Sequence, residues 1–238
     1  MMFTVTSRQT NGAQTLLIDA DDTLWENNIY FEQATEAFVD FLDHSSLSRN
    51  DVKAVLDDFE RINARELGYG SAVYTRSLQD CFHRLAEREI DDSAIDVVIQ
   101  IGRRILEHEM ELIPHVETTL AQLSREYILT LCTKGDRDEQ QIKIDRSGLL
   151  GYFHQIEIMS EKDALGYQEI LGRLGARPAE ACMIGNSPKS DINPPLQLGM
   201  SAVFIPHDHT WQLEHQEVDR PHPRLLVVDR FVDLIRHF

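Results

Sequence analysis

Apolar and polar positions follow two rhythms along this chain, and the change between them divides it. Thr15-Leu16-Leu17-Ile18 is a short apolar run that stops abruptly at Asp19-Ala20-Asp21-Asp22-Thr23. A run of that length, closed by polar turn residues, reads as a buried strand that delivers acids to a sheet edge. From about residue 28 to residue 110 the spacing is helical. Phe31, Ala34, Phe38 and Leu42 form one stripe, and Val52, Val55, Phe59 and Ile62 a second. Val73, Ser77, Cys81 and Leu85 suggest a third helix, and Ile95, Val98, Ile101 and Ile105 a fourth. Gly68-Tyr69-Gly70-Ser71 breaks the series as a loop.

After Ile113-Pro114 the pattern becomes strand alternating with helix. Strands are expected at Tyr127 to Cys132, Gln155 to Met159, Ala181 to Ile184, Ser201 to Ile205 and Leu225 to Val228. Thr118 to Arg125, Ala164 to Leu174 and Ile192 to Leu198 are helical segments between them. This alternation predicts an α/β fold, a Rossmann-like parallel sheet with helices on both faces. The opening strand belongs to that sheet. Residues 1–27 and 111–238 therefore form the expected core, and residues 28–110 an inserted all-helical domain.

Composition narrows the partners. The 238 residues carry 23 Lys and Arg against 40 Asp and Glu, a formal net charge of −17. That charge repels nucleic acid and anionic membranes, whereas a small phosphorylated metabolite stays admissible if a cation sits in the acidic site. No continuous apolar stretch reaches the ~18 residues of a membrane span. Met1 to Gly12 lacks the apolar region of a secretory leader, so a cytoplasmic location is expected. The three cysteines read as buried thiols, with neither a disulfide framework nor a CxxC pair.

In an extended strand Asp19 and Asp21 point the same way, so two like charges share one small site. The pair is either a metal and catalytic site or a strongly coupled titrating dyad; a plain strand-to-turn junction is the structural alternative. Ligands of open parallel sheets bind beyond the carboxyl ends of the strands, so polar groups are expected after the other strands too. They occur as Thr133-Lys134-Gly135-Asp136, Ser160-Glu161-Lys162 and Gly185-Asn186-Ser187-Pro188-Lys189-Ser190-Asp191.

Together these four groups resemble the signature of the haloacid dehalogenase superfamily: DxDx(T/V), a lone Ser or Thr, a Lys, and an acidic G(D/S)x(3-4)(D/E) loop. The resemblance covers about residues 15–205, and the helical insertion matches that superfamily's C1-type cap. It implies a magnesium-dependent phosphatase acting on a small phosphate monoester. Asp19 would be the nucleophile that forms a phosphoaspartyl intermediate, and Asp21 the general acid and then base. Thr133 would bind phosphate with the backbone N–H groups of Lys134 and Gly135, and Lys162 would neutralise the phosphoryl group. Lys134 and Lys189 compete for that last role.

The implied Mg²⁺ ligands are Asp19, the backbone carbonyl of Asp21, and the position held by Asn186, with Asp191 compensating directly or through water. Asn186 departs from the Asp of many relatives: it offers an oxygen but no charge. That departure motivates an alternative, a catalytically weak phospho-ligand binding or regulatory protein. Asp21 disfavours dehalogenase chemistry, in which no leaving alcohol needs a proton.

Other features have simpler readings. His207-Asp208-His209-Thr210-Trp211 with Glu214 and His215 reads as a polar rim rather than a transition-metal site, since its spacing fits no zinc pattern. Trp25, Asn27, Asn28 and Tyr30 stand where the family has a mobile flap. Arg65, Tyr69, Tyr74 and Arg76 surround the glycine loop and are candidates for substrate selection, against the alternative of solvated helix faces.

Overall fold

The computed structural model describes residues 15–218 and 221–238. The reading of Met1 to Gly12 therefore lies outside the described residues. The chain divides into two compact units, residues 27–109 and the remainder.

The remainder is built on six parallel strands: β1 (Thr15–Ile18), β2 (Ile128–Lys134), β3 (Gln155–Met159), β4 (Ala181–Gly185), β5 (Ser201–Phe204) and β6 (Leu225–Val227). They lie in the order β3-β2-β1-β4-β5-β6, with Ile18 opposite both Leu131 and Ile184. Successive crossovers run outward from β1 to β3, then return past β1 to β4. The strand order thus reverses beside β1, the position where open α/β sheets place their ligands.

Period-two alternation assigns each strand residue to one face. Leu16, Ile18, Leu129, Leu131, Cys182 and Ile184 face one core, completed by α5 (Val116–Leu123), by Ile144 of α6 (Arg137–Ser147) and by Phe231 and Leu234. Leu17, Cys132, Ala181 and Met183 face the other, against Tyr167, Ile170 and Leu171 of α7 (Ala164–Leu174). Each large side chain so buried contributes about 1.5–3 kcal/mol. Strand β2 runs two residues beyond its expected end, so Thr133 is a strand residue paired with Ile158. No helix among the described residues is long and apolar enough to cross a membrane.

The second unit holds four helices: α1 (Asn28–Leu42), α2 (Arg49–Leu67), α3 (Ser71–Leu85) and α4 (Asp92–Arg103). Helix α2 starts in a reciprocal cap, Ser48 N donating to Asp51 Oδ2 at 2.9 Å and Asp51 N to Ser48 Oγ at 3.2 Å. The expected α2 stripe is turned by one position, because Ile62 is 51% exposed while Leu56 and Asn63 are buried. Asn63 can replace an apolar residue there because its Nδ2 donates to Ser77 Oγ and Asp80 Oδ2, each at 3.0 Å.

Candidate active site

Asp19 is the first residue past β1, and its N–H still donates to Ile184 O of β4 at 2.9 Å. A tight turn follows: Leu24 N donates to Ala20 O and Asp22 N to Trp25 O, both at 2.8 Å. The turn needs a positive φ at Asp22 (+60°), which a short polar side chain tolerates better than most. It folds Thr23 back so that its hydroxyl lies 2.9 Å from Asp19 Oδ2 and 3.2 Å from Asn186 Oδ1.

Lys162, three residues past β3, is buried and donates from Nζ to Asp19 Oδ1 and, at 2.8 Å, to Asp191 Oδ1. Asp191 is itself fully buried in a single π-turn, Pro188–Ile192, where its Oδ2 accepts from Ser187 N at 3.0 Å. One ammonium thus faces two buried carboxylates. Burial and then the charge of Asp19 push the Asp191 carboxyl up, against the pull of Lys162. Burial alone would lower the Lys162 ammonium, but Asp19 and Asp191 outweigh it and raise it above its ordinary value.

Asp21 does not join this group. Strand β1 ends at Ile18, so strict alternation no longer governs the turn, and Asp21 has a lysine different from the one that Asp19 and Asp191 share. Lys143 Nζ reaches Asp21 Oδ1 at 2.9 Å and Oδ2 at 2.8 Å; Gln140 Nε2 donates to Oδ2 at 2.9 Å and Trp25 Nε1 to Oδ1 at 2.7 Å. Burial pushes this carboxyl up, but Lys143 and the three sets of hydrogen bonds overcome it and hold it below its ordinary value.

The other expected phosphate contacts are only partly brought together. Thr133 is buried at the end of β2. The Gly135 N–H is committed to Met159 O at 3.1 Å, continuing the β2–β3 pairing by one residue, so it is not an open phosphate donor. Lys134 turns to Glu214 Oε1 at 2.7 Å and Ser190 Oγ at 3.1 Å, and Lys189 Nζ reaches Leu213 O at 3.3 Å. Lys162, not these two, is the lysine at Asp19.

The segment after β5 is more than a rim. Glu214 is 7% exposed and accepts from Ser187 Oγ, Ser190 Oγ and Lys134 Nζ. Thr210 Oγ1 takes a hydrogen bond from Asn186 Nδ2 at 3.1 Å. Asp22, Glu26 and His207 bring possible ligand atoms within 4.8 Å of one another. His207 Nδ1 accepts from the His209 N–H at 3.3 Å, and His207 Nε2 lies 3.3 Å from Glu26 Oε2.

In the helical unit, Arg65 and Arg76 are exposed and Tyr69 half-buried. Arg76 pairs with Asp80 at 3.0 Å. Tyr74 lies in that unit's core, its hydroxyl 2.7 Å from Thr35 Oγ1 and 3.2 Å from Phe31 O.

Residues 13–198 match the family of haloacid dehalogenase-like hydrolases. The chain belongs to that family. A haloacid dehalogenase-like family hydrolase from Xanthomonas campestris shares 30% identity with this chain, over 93% of this chain and 92% of its own, with a TM-score of 0.77. Glyceraldehyde 3-phosphate phosphatase of Methanothermobacter thermautotrophicus is 29% identical over 122 residues, 49% of this chain and 54% of its own length. Human N-acylneuraminate-9-phosphatase is 32% identical over 103 residues, 41% of this chain and 41% of its own. The chain thus spans about half, or less, of the length of these curated relatives.

Gln140, Lys143, Thr210 and Glu214 all lie outside the four signature segments. A signal for the first two exists in α6, where Glu139, Gln140, Lys143 and Ser147 are buried at helical spacing with Ile144 the one apolar residue among them. A polar stripe where an apolar one is expected marks a helix that packs on a site.

Proposed function

We propose that this chain hydrolyses a small phosphate monoester by transferring its phosphoryl group to Asp19. The observation that carries the reading is the placement of Asp19: a buried carboxylate at the strand-order reversal, held by Lys162 and Thr23, with Asp21 two residues on. An Asp19 oxygen attacks phosphorus and the ester P–O bond breaks, while Asp21, ionised at rest beside Lys143 and loaded with a proton from solvent before this step, gives that proton to the departing alkoxide. Asp21 then takes a proton from water as that water attacks the phosphorus of the acyl phosphate, which releases inorganic phosphate and restores Asp19. Lys162 balances the charge that gathers on the phosphoryl oxygens.

The donor set here is all oxygen, and two carboxylates outnumber one ammonium, which fits a hard divalent cation. Asp19, the Asp21 carbonyl, Asn186 and Asp191 are the residues that would hold Mg²⁺, which supplies further neutralisation of the phosphoryl group when bound. Arg65, Tyr69 and Arg76 remain candidates for selecting the substrate. Tyr74 is the weakest of the four, because its hydroxyl is already engaged.

Asn186 favours a second reading, a phospho-ligand binder with little turnover, because it brings no charge to the cation. One comparison separates the two. The phosphatase releases phosphate from p-nitrophenyl phosphate with magnesium, and Asp19→Asn abolishes that release with an unchanged circular dichroism spectrum. Full activity in Asp19→Asn rejects the mechanism. Tight magnesium-dependent binding of beryllium fluoride, with no turnover of a phosphorylated metabolite panel, selects the binder.

A further inference from the structure

A carboxylate offers about four lone-pair directions, and at Asp21 all four are filled by donors: two from Lys143, one from Gln140 and one from Trp25. The donors differ in how freely they can move. Trp25 is fully buried and its backbone is laced into the turn, Trp25 O accepting from Asp22 N. Gln140 Nε2 is tethered a second time, to Lys134 O at 2.9 Å. Lys143 is a long flexible side chain that touches both oxygens at once, so it can give up one and keep the other.

Helix α6 makes this arrangement possible. It begins directly after β2, capped by Asp136 Oδ1, which accepts from Asp138 N at 3.1 Å and Glu139 N at 3.0 Å. Gln140 and Lys143 stand at i and i+3, so both side chains lie on one face of the helix. Both are less than 9% exposed. Burying an amide and an ammonium is unfavourable unless each finds a partner, and the shared partner is Asp21.

We propose that Lys143 is a positioning residue for the acid and base step: it holds the Asp21 carboxylate by one oxygen while the other exchanges a proton with the leaving group or with water. Gln140 and Trp25 set the plane in which that exchange occurs. The proposal rests on the phosphatase reading and adds to it a residue from outside the four signature segments.

A leaving-group comparison tests it. General acid catalysis matters most when the departing oxygen is basic, so phenyl phosphate depends on Asp21 more than p-nitrophenyl phosphate does. Lys143→Met keeps the aliphatic stem and removes the ammonium. We expect it to lower kcat/KM for phenyl phosphate about tenfold more than for p-nitrophenyl phosphate, with a circular dichroism spectrum like the parent's and a lower melting temperature, since Asp21 loses its charge partner. Lys143→Arg, which can still span both oxygens, recovers most of the loss. Asp21→Asn shows the same leaving-group bias, only larger.

Equal losses on the two esters in Lys143→Met indicate a merely structural role and overturn the proposal, as does no loss at all. If Asp21→Asn shows the bias and Lys143→Met does not, the inference fails while the phosphatase reading stands. If Asp21→Asn shows no bias, the assignment of Asp21 fails and the proposal falls with it.

Discussion

Lys134 Nζ donates to Glu214 Oε1 at 2.7 Å, joining residues 80 positions apart. Glu214 also accepts from Ser187 and Ser190, so this pair ties the end of β2 to the loop that carries Asn186 and Asp191. Burial pushes the Glu214 carboxyl up, but Lys134 and the two hydroxyls bring it below its ordinary value. A depressed folded-state pKa stabilises above the unfolded value of about 4.3, and the contribution is lost as pH falls through the folded value. Glu214→Gln is therefore expected to lose about 1–3 kcal/mol at neutral pH. Its stability should also fall less steeply than the parent's below about pH 4.3. Urea unfolding at a series of pH values checks both.

Asn186 brings an oxygen without a charge. Asn186→Asp adds a carboxylate beside Asp19, and Thr210 can donate to it only by turning its hydroxyl hydrogen away from His207 O, its acceptor at 3.0 Å. The magnesium concentration giving half-maximal phosphatase activity should fall about tenfold, since carboxylate count tunes affinity for such ions. An unchanged titration curve excludes Asn186 from the cation site.

Gly185 is where Asp191 packs against bare backbone. A Cβ at residue 185 would lie 2.3 Å from Asp191 Oδ2 and 2.5 Å from its Cγ. Gly185→Ala must displace Asp191, and with it the hydrogen bond to Lys162. Activity should drop at least about tenfold for a stability loss of about 1–3 kcal/mol. Parallel assays of turnover and thermal unfolding separate the two effects.

Cys81, Cys132 and Cys182 are all fully buried, and burial pushes each thiol up to about 12. A thiol needs both exposure and thiolate character to react. Ellman's reagent at pH 8 should label none of them in the folded protein and three per chain in guanidinium. Rapid labelling under native conditions contradicts this placement.

Much of the core could be read from apolar period. Leu16, Leu17 and Ile18 announce a buried strand, and Lys162 and Asp191 could be expected at the site because each follows a strand whose end is legible. The parts that could not be read share a different character. Helix α6 buries Gln140 and Lys143 for the sake of Asp21 rather than of an apolar core, so hydrophobic period is silent there. The Asp21 environment is set by a turn, where alternation stops being a rule. Glu214 lies in irregular chain after β5, and only long-range contacts distinguish a buried acid there from a solvated one. Ile62, placed in the α2 stripe, is displaced by Asn63 because a pair of hydrogen bonds makes a polar residue suitable for burial.

The chain carries two tryptophans, and one of them, Trp25, is wholly shielded from solvent with its indole N–H on Asp21. Its emission is therefore an optical report on one carboxylate. Any ligand that draws an oxygen of Asp21 away from its donors changes the polarity felt by that indole. With Trp211→Phe removing the second emitter, arrival of a phosphate ester or of beryllium fluoride can be timed in a stopped-flow cell without attaching a dye.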